Sequence, residues 1–287
     1  MKRLLPSVVA LLALAAGASA AEEYAVKGMV VSVNRQASTF TASIEEIPNF
    51  MRAMTMPFDV LKPGDLDNLA PGAVVEFTLV VDKQSSHAEQ IKIVRFESVE
   101  RDPFSASRLA LLNEIVAGGS AVKPLAIGDS VPDFKLTDQR KRAVVLSSLR
   151  GKIVALNFVY TSCALPNFCL RLANNFNVLQ KRFKQRLGRD LVLLTVTFDP
   201  VHDTPEVLAN YAEQWKADAA WRFLTGSEQD VARVCRLFGV NAFPNEGLLD
   251  HSLHTVLIDR QGKLVANIEG NEFSVTQLGD LVETVLK

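Results

Sequence analysis

The most constraining feature of this 287-residue chain is an apolar run at residues 152–160 that is followed at once by two cysteines. A short, continuous run of large apolar residues is typical of a strand that is buried on both faces of a sheet. Cys163 and Cys169 follow the run, and a helical pattern begins directly after Cys169. We therefore expect a redox or metal site where a central strand passes into a helix.

The rest of residues 125–287 alternates between strand patterns and helical patterns. This alternation predicts an α/β fold with a mostly parallel central sheet. Thr204 followed by Pro205 predicts an N-cap and the first residue of a helix. In chain order, the predicted strands are 134–138, 144–146, 152–160, 191–198, 254–258 and 264–268, and the predicted helices are 170–186, 204–216, 228–238 and 275–286.

Residues 24–98 have a different pattern, in which five short strand-like runs are separated by turn residues. This pattern predicts a small all-β domain, an OB-like five-stranded barrel that is closed or partly open. A helical pattern at 105–116 and a glycine-containing segment at 117–121 predict that residues 99–124 link the two domains. The predicted strands are 25–33, 39–44, 54–60, 74–81 and 88–96.

The first twenty residues have the pattern of a secretory signal peptide, with Lys2 and Arg3, a short apolar run and a small-residue ending at Ala20. We expect cleavage after Ala20, localisation in the periplasm and no membrane span after cleavage. Loss of Lys2 and Arg3 takes the formal net charge from −1 to −3. No basic block remains, so nucleic acid is a poor partner.

Three methionines, Met51, Met54 and Met56, lie within six residues, whereas residues 125–287 contain none. Met54 and Met56 are two positions apart, so on a strand they share a face. Thioethers are soft, neutral ligands that favour Cu(I). Methionine also serves as core filler, but the clustering favours metal binding.

Residues 54–58, Met-Thr-Met-Pro-Phe, and the preceding residues 47–51 resemble the CusF-like periplasmic copper-binding family. The resemblance covers residues 24–98. It implies a five-stranded β-barrel that binds Cu(I) or Ag(I) through two methionines on one strand, a histidine, and a tryptophan stacked on the ion.

In this resemblance, Met54 and Met56 match the methionine pair and Met51 lies near the position of the tryptophan. The chain has no tryptophan there and no histidine at 43–46, and His87 is the only histidine of the region. The resemblance therefore implies a site of two or three methionines, with weaker affinity than in the family.

A second group of soft ligands consists of Cys163, Cys169 and the distant His251. Two thiolates and one imidazole make a credible trigonal Cu(I) site or a larger Cu(II) site. Alternatively, the cysteines form a structural disulfide, or a thiol of low pKa at the helix N-terminus serves thiol–disulfide exchange or peroxide reduction. The chain lacks the CxxC of general disulfide oxidoreductases and the Pro-x-x-x-Thr-x-x-Cys pattern of peroxiredoxins.

Four separate motifs follow one another in a defined order, at residues 160–163, 199–205, 221–226 and 250–252. Together they resemble the Sco/SenC family over residues 125–287. The resemblance implies a thioredoxin-like fold that binds copper through two cysteines and a histidine, here Cys163, Cys169 and His251. It also implies a role in delivering copper to, or maturing the thiols of, the dinuclear copper centre of cytochrome c oxidase.

The spacing of the cysteines departs from the family, which usually has three residues between them, whereas this chain has five. Pro166 and Asn167 in this insertion predict a turn, and the two cysteines are still expected to converge on one ion or to form a disulfide. Asp199 matches the acidic residue that opens the second motif.

Three other residues of ligand type have simpler interpretations. Cys235 lies on the apolar side of a helical pattern and is expected to be a buried structural thiol. His254 lies three residues after His251, so on a strand it points to the opposite face, and it is assigned to packing or surface. His202 stands where the family often has arginine, and we expect it at the surface.

The sequence thus predicts a copper protein of two domains that serves a cuproprotein acceptor, such as a cytochrome c oxidase subunit. In one hypothesis, the barrel captures Cu(I) and passes it across the flexible link to the second domain. The rival hypothesis is an enzyme, a thiol–disulfide reductase that acts on periplasmic apoproteins with a thiol-reductant partner. A third is copper buffering by the barrel.

Overall fold

The computed structural model describes residues 21–83, 85–94, 123–163, 168–240, 242–245 and 248–287. The predicted signal peptide, the helix at 105–116, the segment at 117–121 and the turn at Pro166 and Asn167 lie outside these residues. No helix in the described ranges has the length and apolar character needed to cross a membrane.

The N-terminal part is an antiparallel sheet of five strands in the order β3-β2-β1-β4-β5. Val60 forms a bridge with Ala88 of β5, so the two outer strands meet and the sheet curls into a barrel. Inside the barrel, the ring of Phe40 stacks on that of Phe58, and Phe77 packs edge to face against both. The strands are β1 Glu22–Asn34, β2 Thr39–Ile44, β3 Met54–Asp59, β4 Val74–Val81 and β5 Ser86–Ile93.

The C-terminal part is built on a seven-stranded sheet in the order β14-β13-β8-β9-β10-β6-β7. Strands β8, β9 and β10 are parallel, and β6, β7, β13 and β14 are antiparallel to their neighbours. All residues of β8 and β9 are buried, as expected for parallel strands with both faces covered. The strands are β6 Lys135–Asp138, β7 Ala143–Val145, β8 Ile153–Val159, β9 Leu191–Thr197, β10 Trp221–Thr225, β11 Ala242–Asn245, β12 Leu248–His251, β13 His254–Ile258 and β14 Leu264–Glu269.

Four α-helices are present in the described ranges, and three of them begin at a side-chain cap. Thr204, Ser227 and Ser274 each accept a hydrogen bond from a backbone N–H of the first turn. The predicted N-cap at Thr204 is therefore confirmed. The helices are α1 Cys169–Arg182, α2 Pro205–Gln214, α3 Glu228–Leu237 and α4 Val275–Leu286.

The fold class predicted from the sequence, a small β-barrel followed by an α/β domain, is confirmed. Several details differ from the expectation. Helix α1 ends at Arg182 rather than at residue 186, because the chain turns back towards β9 and passes through Gly188 at φ 80°. Strand β10 and the short hairpin of β11 and β12 were not predicted, and the hairpin carries His251 at its end.

Candidate metal centres

The candidate residues of the C-terminal domain meet at one edge of its sheet. Val159 at the end of β8 is level with Thr197 at the end of β9. Strand β13 runs antiparallel to β8, so its first residues lie beside the last residues of β8. In open α/β sheets, ligands bind at the carboxyl ends of the parallel strands. Cys163, Asp199 and His251 follow or precede these strand ends at that edge.

Cys163 and Cys169 lie close together at this edge and are both buried. Their side chains share a hydrogen bond, which is the largest of the causes that raise the pKa of the Cys169 thiol, and burial adds to it. As the first residue of α1, Cys169 would be expected to have a lowered pKa. The low-pKa thiol considered from the sequence is therefore wrong for Cys169, because the Cys163 contact and burial outweigh the helix terminus.

The turn that carries Cys163 is anchored by the buried carboxylate of Asp203. This carboxylate accepts hydrogen bonds from the backbone N–H of Thr161 at 3.1 Å, from the Thr161 hydroxyl at 2.5 Å and from the Thr197 hydroxyl at 2.5 Å. Asp203 thus joins the ends of β8 and β9 immediately before Cys163. It is buried with all of these donors paired, which favours one arrangement of the turn.

The start of α1 is held by a buried polar chain that crosses three strands. Asn157 of β8 donates from Nδ2 to the carbonyl of Leu172 in α1 at 3.1 Å. The hydroxyl of Thr195 donates to Asn157 Oδ1 at 2.7 Å and accepts from Trp221 Nε1 at 2.9 Å. The first turn of α1, which begins with Cys169, is therefore fixed against the centre of the sheet.

The backbone of His251 lies at the end of β12 and is paired with Ala242. Two residues separate it from β13, which begins beside the end of β8. Among the side chains that the structure describes, no three His, Cys, Asp or Glu residues are grouped as a metal site. The convergence of His251 with the two cysteines therefore stays a prediction.

Asp199 and the exposed His202 form a pair beside the same edge. His202 Nδ1 lies 2.9 Å from both carboxylate oxygens of Asp199. His202 is therefore at the surface, as predicted, and it is the partner of Asp199 in this loop. The loop brings an imidazole and a carboxylate within reach of solvent next to the Cys163 turn.

The other two residues of ligand type are buried in packing positions. Burial raises the pKa of Cys235 to about 12. Burial also lowers the pKa of His254, whose Nδ1 lies 2.8 Å from the side-chain oxygen of Asn267. Cys235 is the buried thiol that the sequence predicted, and His254 belongs to the core and not to the surface.

The methionine pair lies on the inner side of the barrel wall. Met54 is level with Ile44 of β2 and Met56 with Ala42, and both of these neighbours are buried in the barrel core. The prediction that the two methionines share a strand face is confirmed. Met56 packs against this core, whereas Met54 is 48% exposed and therefore accessible from outside.

Met51 lies in the loop before β3, where its backbone is paired with Ile47. Its side chain packs against the barrel core, next to which Phe50 stacks on Tyr24 with ring centroids 3.9 Å apart. His87 is on β5, and its Nε2 lies 3.0 Å from Glu89. Soft thioethers thus line the barrel, and the donor set suits Cu(I) better than hard cations.

Sequence reasoning missed Asp203, the polar chain through Asn157, and the contacts of Ser43 and Thr55 described below. A buried Asn in the middle of an apolar strand was a usable signal, because such a side chain must find partners. For Asp203 the available signal was its place in the same motif as Asp199. Ser43 and Thr55 carried no local signal.

Two family models match the chain. The model described as SCO1/SenC matches residues 124–287, and the model described as copper binding periplasmic protein CusF matches residues 23–93. The two matches coincide with the α/β domain and the barrel, respectively.

Curated relatives match the C-terminal half. An SCO2-like protein of Rickettsia typhi is 31% identical over 140 residues, which cover 46% of this chain and 66% of that protein. The mitochondrial protein SCO1 of Saccharomyces cerevisiae is 26% identical over 159 residues, which cover 53% of this chain and 52% of that protein. The match thus spans less than two thirds of the length of these relatives.

Among solved structures, a SCO1/SenC family lipoprotein from Bacillus anthracis is similar with a TM-score of 0.50 and 24% identity. The similarity covers 58% of this chain and 100% of that chain. It confirms the thioredoxin-like fold of the C-terminal domain.

Proposed function

Because the chain belongs to the SCO1/SenC family and carries an N-terminal CusF-like domain, we propose that it is a periplasmic copper chaperone. It delivers copper to a cuproenzyme such as cytochrome c oxidase, or matures the thiols of that enzyme's copper site. The observation that carries the proposal is the direct contact of the Cys163 and Cys169 side chains at the sheet edge that β13 also reaches.

In this proposal Cys163, Cys169 and His251 bind the copper cargo. Two thiolates and one imidazole suit Cu(I), and an additional ligand completes a Cu(II) site. The thiols must lose their protons to bind, so the raised pKa of Cys169 makes copper uptake release protons to solvent. Transfer to the acceptor needs stepwise exchange of ligands and no catalytic base.

The barrel supplies a second, softer site at Met54 and Met56, with Met51 as the third thioether. Neutral thioethers do not compete with protons, so this site takes Cu(I) over a wider pH range than the thiols. The half-exposed Met54 is the point of entry.

The same two thiols support a second candidate function, that of a thiol–disulfide reductase. Two thiols in contact can form the Cys163–Cys169 disulfide, losing two protons and two electrons to a disulfide in the substrate protein, which becomes two thiols. A thiol-reductant partner then restores Cys163 and Cys169. The raised pKa of Cys169 keeps that thiol protonated, so in this function Cys163 is the attacking thiol.

The substitution His251→Ala separates the two functions. The copper chaperone needs His251 as a ligand, so the variant, with both thiols intact, is expected to lose stable copper from the C-terminal domain. The reductase needs only the thiols, so the variant would keep its rate of disulfide reduction. His254→Ala is the matched control, because it removes a nearby imidazole that is buried in packing. Unchanged copper retention in His251→Ala would contradict the chaperone proposal.

A further inference from the structure

A polar contact joins the barrel to the C-terminal domain at the partly buried Asp280 of α4. The hydroxyls of Ser43 and Thr55 donate hydrogen bonds to Asp280 Oδ2 at 2.7 and 2.9 Å. Arg182, at the end of α1, donates to Asp280 Oδ1 at 2.6 Å. Gln277 of α4 donates to the carbonyl of Ser43 at 3.2 Å. We call this set of five residues the Asp280 latch.

Apolar packing surrounds the latch. Met29, Val31 and Val74 belong to the barrel strands, but they are buried in the core of the C-terminal domain. At the neighbouring turn, a Cβ added to Gly72 would lie 2.8 Å from the side chain of Ile268 in β14. The barrel therefore docks closely on α4 and β14 in the described structure, and is not held by the chain connection alone.

The latch contacts the face of β3 that is opposite to the methionine pair. Thr55 lies between Met54 and Met56, and successive side chains of a strand point to opposite faces. Thr55 and its β2 neighbour Ser43 face Asp280, whereas Met54 and Met56 are level with residues of the barrel core. The methionine pair is thus turned away from the C-terminal domain.

The latch lies at the C-terminal end of α1, whereas the thiol site lies at the N-terminal end of this helix. Cys169 begins this helix of 14 residues, and Arg182 ends it beside Asp280. At a rise of about 1.5 Å per residue, the helix separates its two ends by about 20 Å. Ligand exchange between two copper sites requires both sets of ligands to reach one ion, and the latch fastens the barrel at the end of α1 that is remote from Cys169.

We propose that the Asp280 latch keeps the methionine site and the thiol site of one chain apart, so that copper leaves Met54 and Met56 for a separate molecule. This inference rests on the proposed function. Cu(I) keeps its oxidation state in the transfer, and the accepting thiols release their protons to solvent. A relay within one chain then requires the barrel to undock first.

The dependence of the Cu(I) transfer rate on protein concentration tests whether copper passes between molecules or within one chain. The thiols of the full chain are blocked as mixed disulfides, Cu(I) is loaded at the methionines, the thiols are restored with a reductant, and the appearance of Cu(I)–thiolate absorbance is followed. The latched chain is expected to transfer at a rate proportional to protein concentration. A rate independent of concentration would overturn the proposal.

Asp280→Ala should add a concentration-independent phase, because it removes the two hydrogen bonds that Asp280 accepts from the barrel. Glu283→Ala is the matched control, because Glu283 accepts from the same Arg182 at 2.7 Å and, in the part of the chain that the structure describes, accepts no hydrogen bond from the barrel. The control should behave as the wild type. The double substitution Ser43→Ala and Thr55→Val removes the same contacts from the barrel side and leaves the Arg182 ion pair intact.

Hydrogen exchange without metal tests the latch independently of copper. Asp280→Ala and the double variant are expected to lose protection in β2, β3 and α4 by about tenfold or more, as for the loss of charge-assisted hydrogen bonds. Equal protection in wild type and both variants would refute the latch. A chain that binds no Cu(I) at the methionines would contradict both the proposed function and the proposed transfer between molecules. The hydrogen-exchange experiment would still test whether the Asp280 latch holds the barrel on the C-terminal domain.

Discussion

The backbone N–H and the hydroxyl of Thr161 both donate to the buried carboxylate of Asp203, which places a side chain from the loop before α2 under the turn that carries Cys163. A second carboxylate, that of Asp133, repeats this arrangement elsewhere in the domain. Asp133 accepts from the N–H and the hydroxyl of Ser147 at 2.8 and 2.7 Å, at an exposed position. A comparison of substitutions at Asp203 and Asp133 can therefore show what the Asp203 hydrogen bonds contribute to the thiol site.

Asp203→Ala is expected to lower the free energy of unfolding by about 1–3 kcal/mol, because it leaves buried hydroxyl and N–H donors unpaired. It should also weaken copper retention by the thiols, since the turn before Cys163 loses its anchor. Urea denaturation and competition with a Cu(I) chelator measure the two effects. Asp133→Ala should change stability without changing copper retention, and an equal loss of copper in both variants would contradict the anchoring role.

Removal of Cys163 should lower the pKa of Cys169. The side-chain hydrogen bond with Cys163 is the largest cause that raises this pKa, so in Cys163→Ala the Cys169 thiolate is expected to form at lower pH. The ultraviolet absorbance of thiolate, followed against pH in a Cys235→Ser background, reports the change. A titration of Cys169 that stays in place or moves to higher pH would show that burial alone sets its pKa.

Substitution of the barrel methionines should distinguish a residue that stabilises the fold, Met29, from a residue that binds Cu(I), Met54. Met29→Ala is expected to cost about 2–5 kcal/mol of stability, because the side chain is fully buried between the domains. Met54→Ala should cost much less, because Met54 is half exposed, yet it should weaken Cu(I) binding by the barrel. Thermal unfolding and Cu(I) titration of the two variants test this. Loss of barrel copper in Met29→Ala, with Met54→Ala unaffected, would reverse the assignment.

Docking of the barrel should weaken in acid. Burial opposes ionisation of Asp280, but hydrogen bonds from Ser43, Arg182 and Thr55 outweigh it and lower its pKa from the ordinary 3.8. A lowered pKa in the folded state means that the carboxylate stabilises the fold above its unfolded pKa and that this contribution is lost as pH falls through the folded value.

The stability difference between wild type and Asp280→Asn should therefore be constant near neutral pH and shrink below about pH 4. Arg182 stays charged throughout, and Glu283 competes for it. Urea unfolding at a series of pH values measures the difference. A stability difference that increases towards low pH would mean that the charge on Asp280 does not stabilise the docked state.

Much of the fold could be predicted because its signals are local. The apolar run of β8, the turn residues of the barrel and the Thr204–Pro205 helix start all depend on neighbours in sequence. The bounds of α4 also agreed with the prediction. The contact between Ser43 and Asp280 could not be predicted, because it joins residues 237 positions apart and neither residue differs in type from ordinary surface residues.

The candidate sites also combine features that the local sequence predicts with features that depend on long-range contacts. The cysteine pair and the methionine pair stand out by residue type and spacing, and the structure places each pair together. The raised pKa of Cys169 could not be predicted from its helix position, because it depends on a hydrogen bond with Cys163, from which five residues of chain separate it. The orientation of the methionine pair away from the thiols depends on which barrel face docks, and both faces of β1 are apolar enough to be buried.

The most direct test of copper binding at two separate sites is the copper content of the purified, reduced protein after Cu(I) loading. The wild type is expected to retain copper at both sites, the Met54→Ala/Met56→Ala variant only at the thiols, and the Cys163→Ser/Cys169→Ser variant only at the methionines. Wild-type protein that retains no copper would contradict the account.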